Sequence, residues 1–204
     1  MKKRNLILIF LVTIIFASCG GAKYTYNFDQ GKSLNFKKGK WILNEPYINY
    51  KSKNAYLYAK EEFENILGDS LFDLVELRKT KIINNQLPLD PSKEELTAIQ
   101  EFSNCDFLIN VESKVLKNEM GTMAHTTNIG EVTKYNEAST TIKIYDLHNF
   151  KKISEATAIG QVKITKKSED TGFFDTFEYT TSGGLLAIKS IRKLIQKYRK
   201  YQVE

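Results

Sequence analysis

Residues 139–147 and 152–164 alternate apolar and polar side chains, most clearly in Thr141-Ile142-Lys143-Ile144-Tyr145. A period of two is the signature of a strand with one buried face. Between the runs stands the turn signal Asp146-Leu147-His148-Asn149, with Asn149 suited to the left-handed conformation a hairpin turn often needs. A hairpin of this kind must lay its apolar face against another layer. Residues 185–201 supply one: Leu185, Ile188, Ile191, Leu194, Ile195 and Tyr198 recur at helical spacing. Lys193, Lys197, Arg199 and Lys200 fill the last turns, where cations suit the helix dipole. The chain is therefore committed to a sheet with helix packed on it.

The remaining elements follow the same logic. Trp41-Ile42-Leu43, ended by Pro46, reads as a short strand. From Asn54 the period becomes helical, with Ala55, Ala59, Phe63, Ile66 and Leu67 on one stripe and Gly68 as the stop. Residues 72–77 alternate and predict a second strand. Ser92-Lys93-Glu94-Glu95 is a capping box that opens a helix buried through Leu96, Ile99 and Phe102. Residues 106–116 read as a further strand, with Phe107, Ile109 and Val111 on one face. The expected fold is α/β (α+β): one domain, residues 41–204, with a mixed sheet and about three helices packed on it.

The N-terminus carries a different signal. Lys2-Lys3-Arg4 precedes a twelve-residue apolar run, residues 6–17, interrupted only by Thr13. A membrane-spanning helix needs about 20 apolar residues, so the run has the length of a signal-peptide core instead. It ends in Phe16-Ala17-Ser18-Cys19-Gly20, which resembles the lipobox of bacterial lipoproteins, with Phe16 where Leu is usual. That resemblance implies cleavage after residue 18 and lipidation of Cys19. Residues 19–40 then read as a lipidated flexible tether, in which residues 24–28 allow a short strand. Gly20 and Gly21, not Asp, follow Cys19, so no inner-membrane retention signal is resembled, and no acidic export tag follows either. The expected location is the periplasmic face of the outer membrane, in the cell envelope. The charge balance agrees with a partner other than nucleic acid. Without the leader, the 30 cations and 24 acids become 27 and 24, too small an excess for a nucleic-acid footprint.

Three stretches of the mature chain resemble a family of bacterial envelope lipoproteins. The family includes the curli secretion-pore lipoprotein, the outer-membrane activators of penicillin-binding proteins and the N-terminal domain of the Tol-system β-propeller protein. The stretches are Phe72-Asp73-Leu74-Val75-Glu76-Leu77-Arg78, Phe102-Ser103-Asn104-Cys105-Asp106-Phe107-Leu108-Ile109, and residues 142–153 with Asp146 before the turn. They depart from the family phrases at Leu77, Asn104-Cys105 and Asn149. The resemblance spans residues 41–201 and implies a non-catalytic domain that binds protein partners or oligomerises.

The residues offer little raw material for catalysis. His125 and His148 lack a shared helix face, and no metal-ligand spacing occurs, so neither metal nor cofactor is expected. Cys105, flanked by Asn104 and Asp106 at the head of an apolar strand, reads as a buried core residue. Ser182-Gly183-Gly184 lacks the Lys-Ser/Thr of a phosphate loop and reads as a helix start. Two stretches remain as contact surfaces. Residues 118–137 form a polar connection containing Met120, Met123, His125 and Tyr135, which reads either as a hairpin tip or as the lid of a solute- or glycan-binding site. Phe173, Phe174, Phe177 and Tyr179 read either as partner-binding anchors or as an edge strand packed on the last helix.

Overall fold

The computed structural model describes residues 21–52, 54–80, 87–119, 132–166 and 181–203. Its scaffold is β5 (Phe107–Asn118), β6 (Val132–Asp146) and β7 (Lys151–Lys166), an antiparallel meander whose edge is completed by β1 (Lys23–Gln30). On the other side β2 (Trp41–Leu43) runs parallel to β5, and β4 (Leu71–Asp73) runs parallel to β2. The order is β1-β7-β6-β5-β2-β4, with the two-residue β3 (Tyr47–Ile48) also pairing with β5. The sheet is thus mixed, and four helices pack on it: α1 (Asn54–Leu67), α2 (Leu74–Thr80), α3 (Lys93–Ser103) and α4 (Gly183–Tyr201).

Strand alternation sends Val111, Ile142, Ile144, Ala156 and Ala158 to one face, where α1 and α4 cover them. Helix α1 contributes Ala55, Ala59, Phe63 and Leu67. Helix α4 contributes Leu186, Ala187, Ile191, Leu194, Ile195 and Tyr198. The stripe on α4 is rotated from its expected position: Leu185 is 45% exposed, and the small Ala187 and Ser190 lie against the sheet instead. Gly160 is the reason α4 can lie so close. A Cβ there would stand 2.8 Å from Ser190 Oγ and 2.9 Å from the Tyr24 ring. Ser113 and Thr140, both fully buried, meet the Ala187 carbonyl at the same crossing.

Among the described residues, the opposite face is covered near the 147–150 turn. There α3 lays Leu96 and Ile99 on Ile42, Leu108, Tyr145 and Leu147, with Cys105 and Leu74 in the same cluster. The capping box is present: Ser92 Oγ accepts from Glu95 N, and Glu95 Oε2 accepts from Ser92 N at 2.7 Å.

Four expectations are corrected by this arrangement. Residues 19–40 do not act as a tether from Lys23 onward, because β1 is a full strand of the sheet and Phe36 is buried. A chain of ring contacts joins Phe28, Phe36, Trp41, Phe107, Tyr198 and Tyr201, locking that segment to the end of α4. Residues 72–77 are not a strand: pairing stops at Asp73, whose Oδ1 accepts from Val75 N and Glu76 N and starts α2. The polar connection 118–137 is shorter than expected, since the β5–β6 ladder runs through Asn118 opposite Asn136 and puts Tyr135 in a strand. Finally, Phe150 (φ 51°), not Asn149, takes the left-handed position of the hairpin turn. Asn149 instead has its backbone N–H and side chain bound to the Asp146 carboxylate, and Phe150 gains a place against the α3 cluster.

Candidate functional site

Among the described residues, none beyond the reach of α3 covers the second face of the antiparallel strands. Its cross-strand rows follow from the register: Asn27–Thr157–Thr141–Glu112, Thr25–Ile159–Ser139–Lys114, and Lys23–Gln161–Glu137–Lys117. These are the odd-phase partners of the apolar positions facing α4, so the same alternation that builds the core exposes hydroxyls, amides and charges on its reverse. Several are paired with one another. Thr141 and Thr157 hydroxyls lie 3.1 Å apart, Gln161 donates to Glu137 at 2.9 Å, and Lys114 meets Glu112 at 2.6 Å. The last row leads into an amphipathic cluster in which Lys117 and Lys163 Nζ lie 5.6 and 5.8 Å from the Tyr135 ring centre. Tyr135 is 38% exposed and neighbouring Leu116 is 50% exposed.

Where α3 begins, the face is closed by a polar knot. The buried Asn110 donates to the carbonyls of Pro88 and Leu89 and accepts from Asn44. Next to it Lys143 reaches both oxygens of Asp90 at 2.7 Å, and the Tyr145 hydroxyl donates to Asp90 at 2.9 Å. The Lys143 contact, with help from Tyr145, holds the Asp90 carboxyl below its ordinary range. Burial pushes the Tyr145 hydroxyl strongly upward, and Asp90 adds to the effect, so Tyr145 stays a donor. This knot fixes the approach to α3.

At the hairpin turn, His148 Nε2 lies 2.6 Å from Asp106 Oδ1, and Asp106 Oδ2 accepts from Lys40 N. The histidine contact is the chief cause that keeps the Asp106 carboxyl low. His148 is therefore an exposed turn residue that clamps the hairpin to the start of β5. Cys105 beside it is buried, and burial pushes its thiol up, away from thiolate chemistry. Ser182 caps α4 by accepting from Leu185 N, as a helix start would.

Among the described residues, no group of three or more His, Cys, Asp and Glu converges as a metal cage, and no helix is long and apolar enough to cross a membrane. Cys19, Met120, Met123, His125, Phe173, Phe174, Phe177 and Tyr179 lie outside the described residues. The Lys117–Tyr135–Lys163 cluster was missed in the sequence, where its three members are scattered among polar positions. The signal that could have found it is the strand register itself.

No protein-family model matches the chain, and no curated protein matches it. Among solved structures, the PelC dodecamer from Paraburkholderia phytofirmans is similar at 13% identity, covering 86% of this chain and 97% of that one, with a TM-score of 0.42. Lipoprotein GNA1162 from Neisseria meningitidis is similar at 13% identity, covering 80% and 99%, with a TM-score of 0.40. The LpoB C-terminal domain from Salmonella enterica is similar at 10% identity, covering 65% and 85%, with a TM-score of 0.36.

Proposed function

We propose that the chain is an outer-membrane lipoprotein, anchored through Cys19, whose single domain acts in the periplasm as an assembly or regulatory partner of an envelope complex. The observation that carries the reading is the junction Ala17-Ser18-Cys19-Gly20 at the end of a signal-length apolar run, followed at Lys23 by a folded domain. Two or three acyl chains on Cys19 make a stable anchor, since each buried CH₂ contributes roughly 0.8 kcal/mol. Binding rather than catalysis is supported by the state of the reactive groups: the Cys105 thiol is buried, and Asp73, Asp90, Asp106 and Asp146 are each held as hydrogen-bonded carboxylates. The resemblance of residues 41–201 to envelope lipoproteins supports a protein partner or further copies of the chain. Phe173, Phe174, Phe177 and Tyr179 are the proposed partner anchors.

The test is in-cell cross-linking of a C-terminally tagged chain, read by mass spectrometry, with Cys19→Ala as control. Links to a cell-wall synthase or secretion component that vanish in the control are the expected result. Self-links alone identify a homo-oligomer, and no links at all favour the solute- or glycan-binding alternative. Replacing Phe173 and Phe174 with Ser weakens partner capture without lowering the melting temperature if they are anchors. A large drop in melting temperature assigns them to packing instead.

A further inference from the structure

The corrected start of the domain changes what an anchor at Cys19 would do. Lys23, the first residue of the β1 ladder, is four residues beyond Cys19. A chain spans at most about 3.6 Å per residue, so this leash reaches about 14 Å. Register fixes where the leash leaves the sheet. Lys23 stands opposite Gln161, at the end where β7 runs out, β6 begins and β5 finishes. The far end, at Lys151, lies ten residues back along β7, roughly 34 Å at about 3.4 Å per residue. The leash is shorter than the strands, so one end of the sheet stays beside the bilayer.

That near end has the chemistry of a headgroup contact. Lys117, Tyr135 and Lys163 sit on three adjacent strands with exposed tips, and Leu116 adds apolar surface beside them. Lysine and tyrosine combine an apolar body with a polar tip, which suits the boundary between headgroups and water. Among the described residues around them, the cations Lys23, Lys114, Lys117, Lys134 and Lys163 outnumber the carboxylates Glu112, Glu119 and Glu137. We propose that this end of the sheet docks on the anionic headgroups of the leaflet that holds the Cys19 acyl chains. The inference rests on the lipid-anchor reading above. It makes the domain a membrane-apposed platform, with the His148 turn and the C-terminal end of α4 directed away from the lipid.

The test uses the full-length chain reconstituted into vesicles of phosphatidylglycerol and phosphatidylethanolamine. Intact-mass analysis of the N-terminal peptide first establishes whether Cys19 carries acyl chains. Absence of acylation overturns the anchor reading and this inference together. Cysteines introduced as T25C at the near end, outside the proposed contact, and as K151C or K200C at the far end, are then labelled with a fluorophore. An acylated Cys19 and the buried Cys105 leave each new thiol as the labelling site. Headgroup-spin-labelled lipid is expected to quench the near-end labels at least twofold more than the far-end labels. That difference is expected to fall by at least half in phosphatidylcholine vesicles. In an acylated chain, equal quenching at both ends, stronger quenching at the far end, or a difference indifferent to lipid charge overturns this inference alone. Thermal melts of each variant establish that the fold is intact.

Discussion

The two faces of the β1-β7-β6-β5 sheet are built from alternate residues of the same strands, yet they carry different loads. On one, Ile142, Ile144, Ala156 and Ala158 are fully buried beneath α1 and α4. On the other, Thr141, Thr157, Ser139 and Gln161 retain contact with solvent, and polar side chains there bond across the strands. Stability is concentrated on the first face, because a fully buried aliphatic side chain contributes about 1.5–3 kcal/mol. Outside the α3 cluster, the described part of the second face contributes little to folding.

The contrast can be broken most forcefully on the helix side. Leu194→Ala removes a fully buried side chain of α4 and should lower unfolding free energy by about 2–5 kcal/mol in a urea titration. A loss below about 1 kcal/mol would mean that α4 is not the main cover of the sheet. Gly160→Ala tests the closeness of the crossing. With Ser190 Oγ and the Tyr24 ring already within 3 Å of the added Cβ position, the helix must shift, at a cost of about 1–3 kcal/mol. Ser92→Ala, which removes one half of the capping box, should cost about 1 kcal/mol, confined to the α3 end of the second face.

Acid sharpens the comparison further. Burial pushes the Asp73 carboxyl up, but the nearby Tyr56 hydroxyl, Lys60 and the N–H groups of Val75 and Glu76 outweigh it, so its folded value lies below the ordinary one. The stability it contributes is therefore present above the ordinary aspartate range. It is lost as pH falls from about 4 through the lower folded value. Asp73→Asn should flatten the stability–pH curve in that window, measured by denaturant midpoints. An unchanged slope would mean that the carboxylate is not held low. The smallest effect is expected at Thr141→Val on the open face, within about 0.5 kcal/mol. A loss comparable to that of Leu194→Ala would show that the open face is structural after all.

Much of this architecture was legible in the chain. The alternation of residues 139–147 and 152–164, the capping box at Ser92 and the stop at Gly68 are local signals, set by side-chain period and backbone hydrogen bonding. They suffice for the order of the main elements and for a buried Cys105. What escaped depends on partners far away in sequence. Residues 23–30 look like tether because their alternating tyrosines gain a buried face only when β7 and α4 arrive. The left-handed position passes to Phe150 because its ring finds the α3 cluster, a benefit invisible in the turn itself.

The site divides in the same way. The apolar N-terminal run and Cys19 form a contiguous pattern, so the expectation of an address comes from adjacent residues alone. Lys117, Tyr135 and Lys163 become neighbours only through the pairing of β5, β6 and β7. Period and capping are short-range properties that a sequence determines by itself. Register, helix rotation and the point where the folded domain begins are decided by which surfaces meet, because burial rewards contacts irrespective of their separation along the chain.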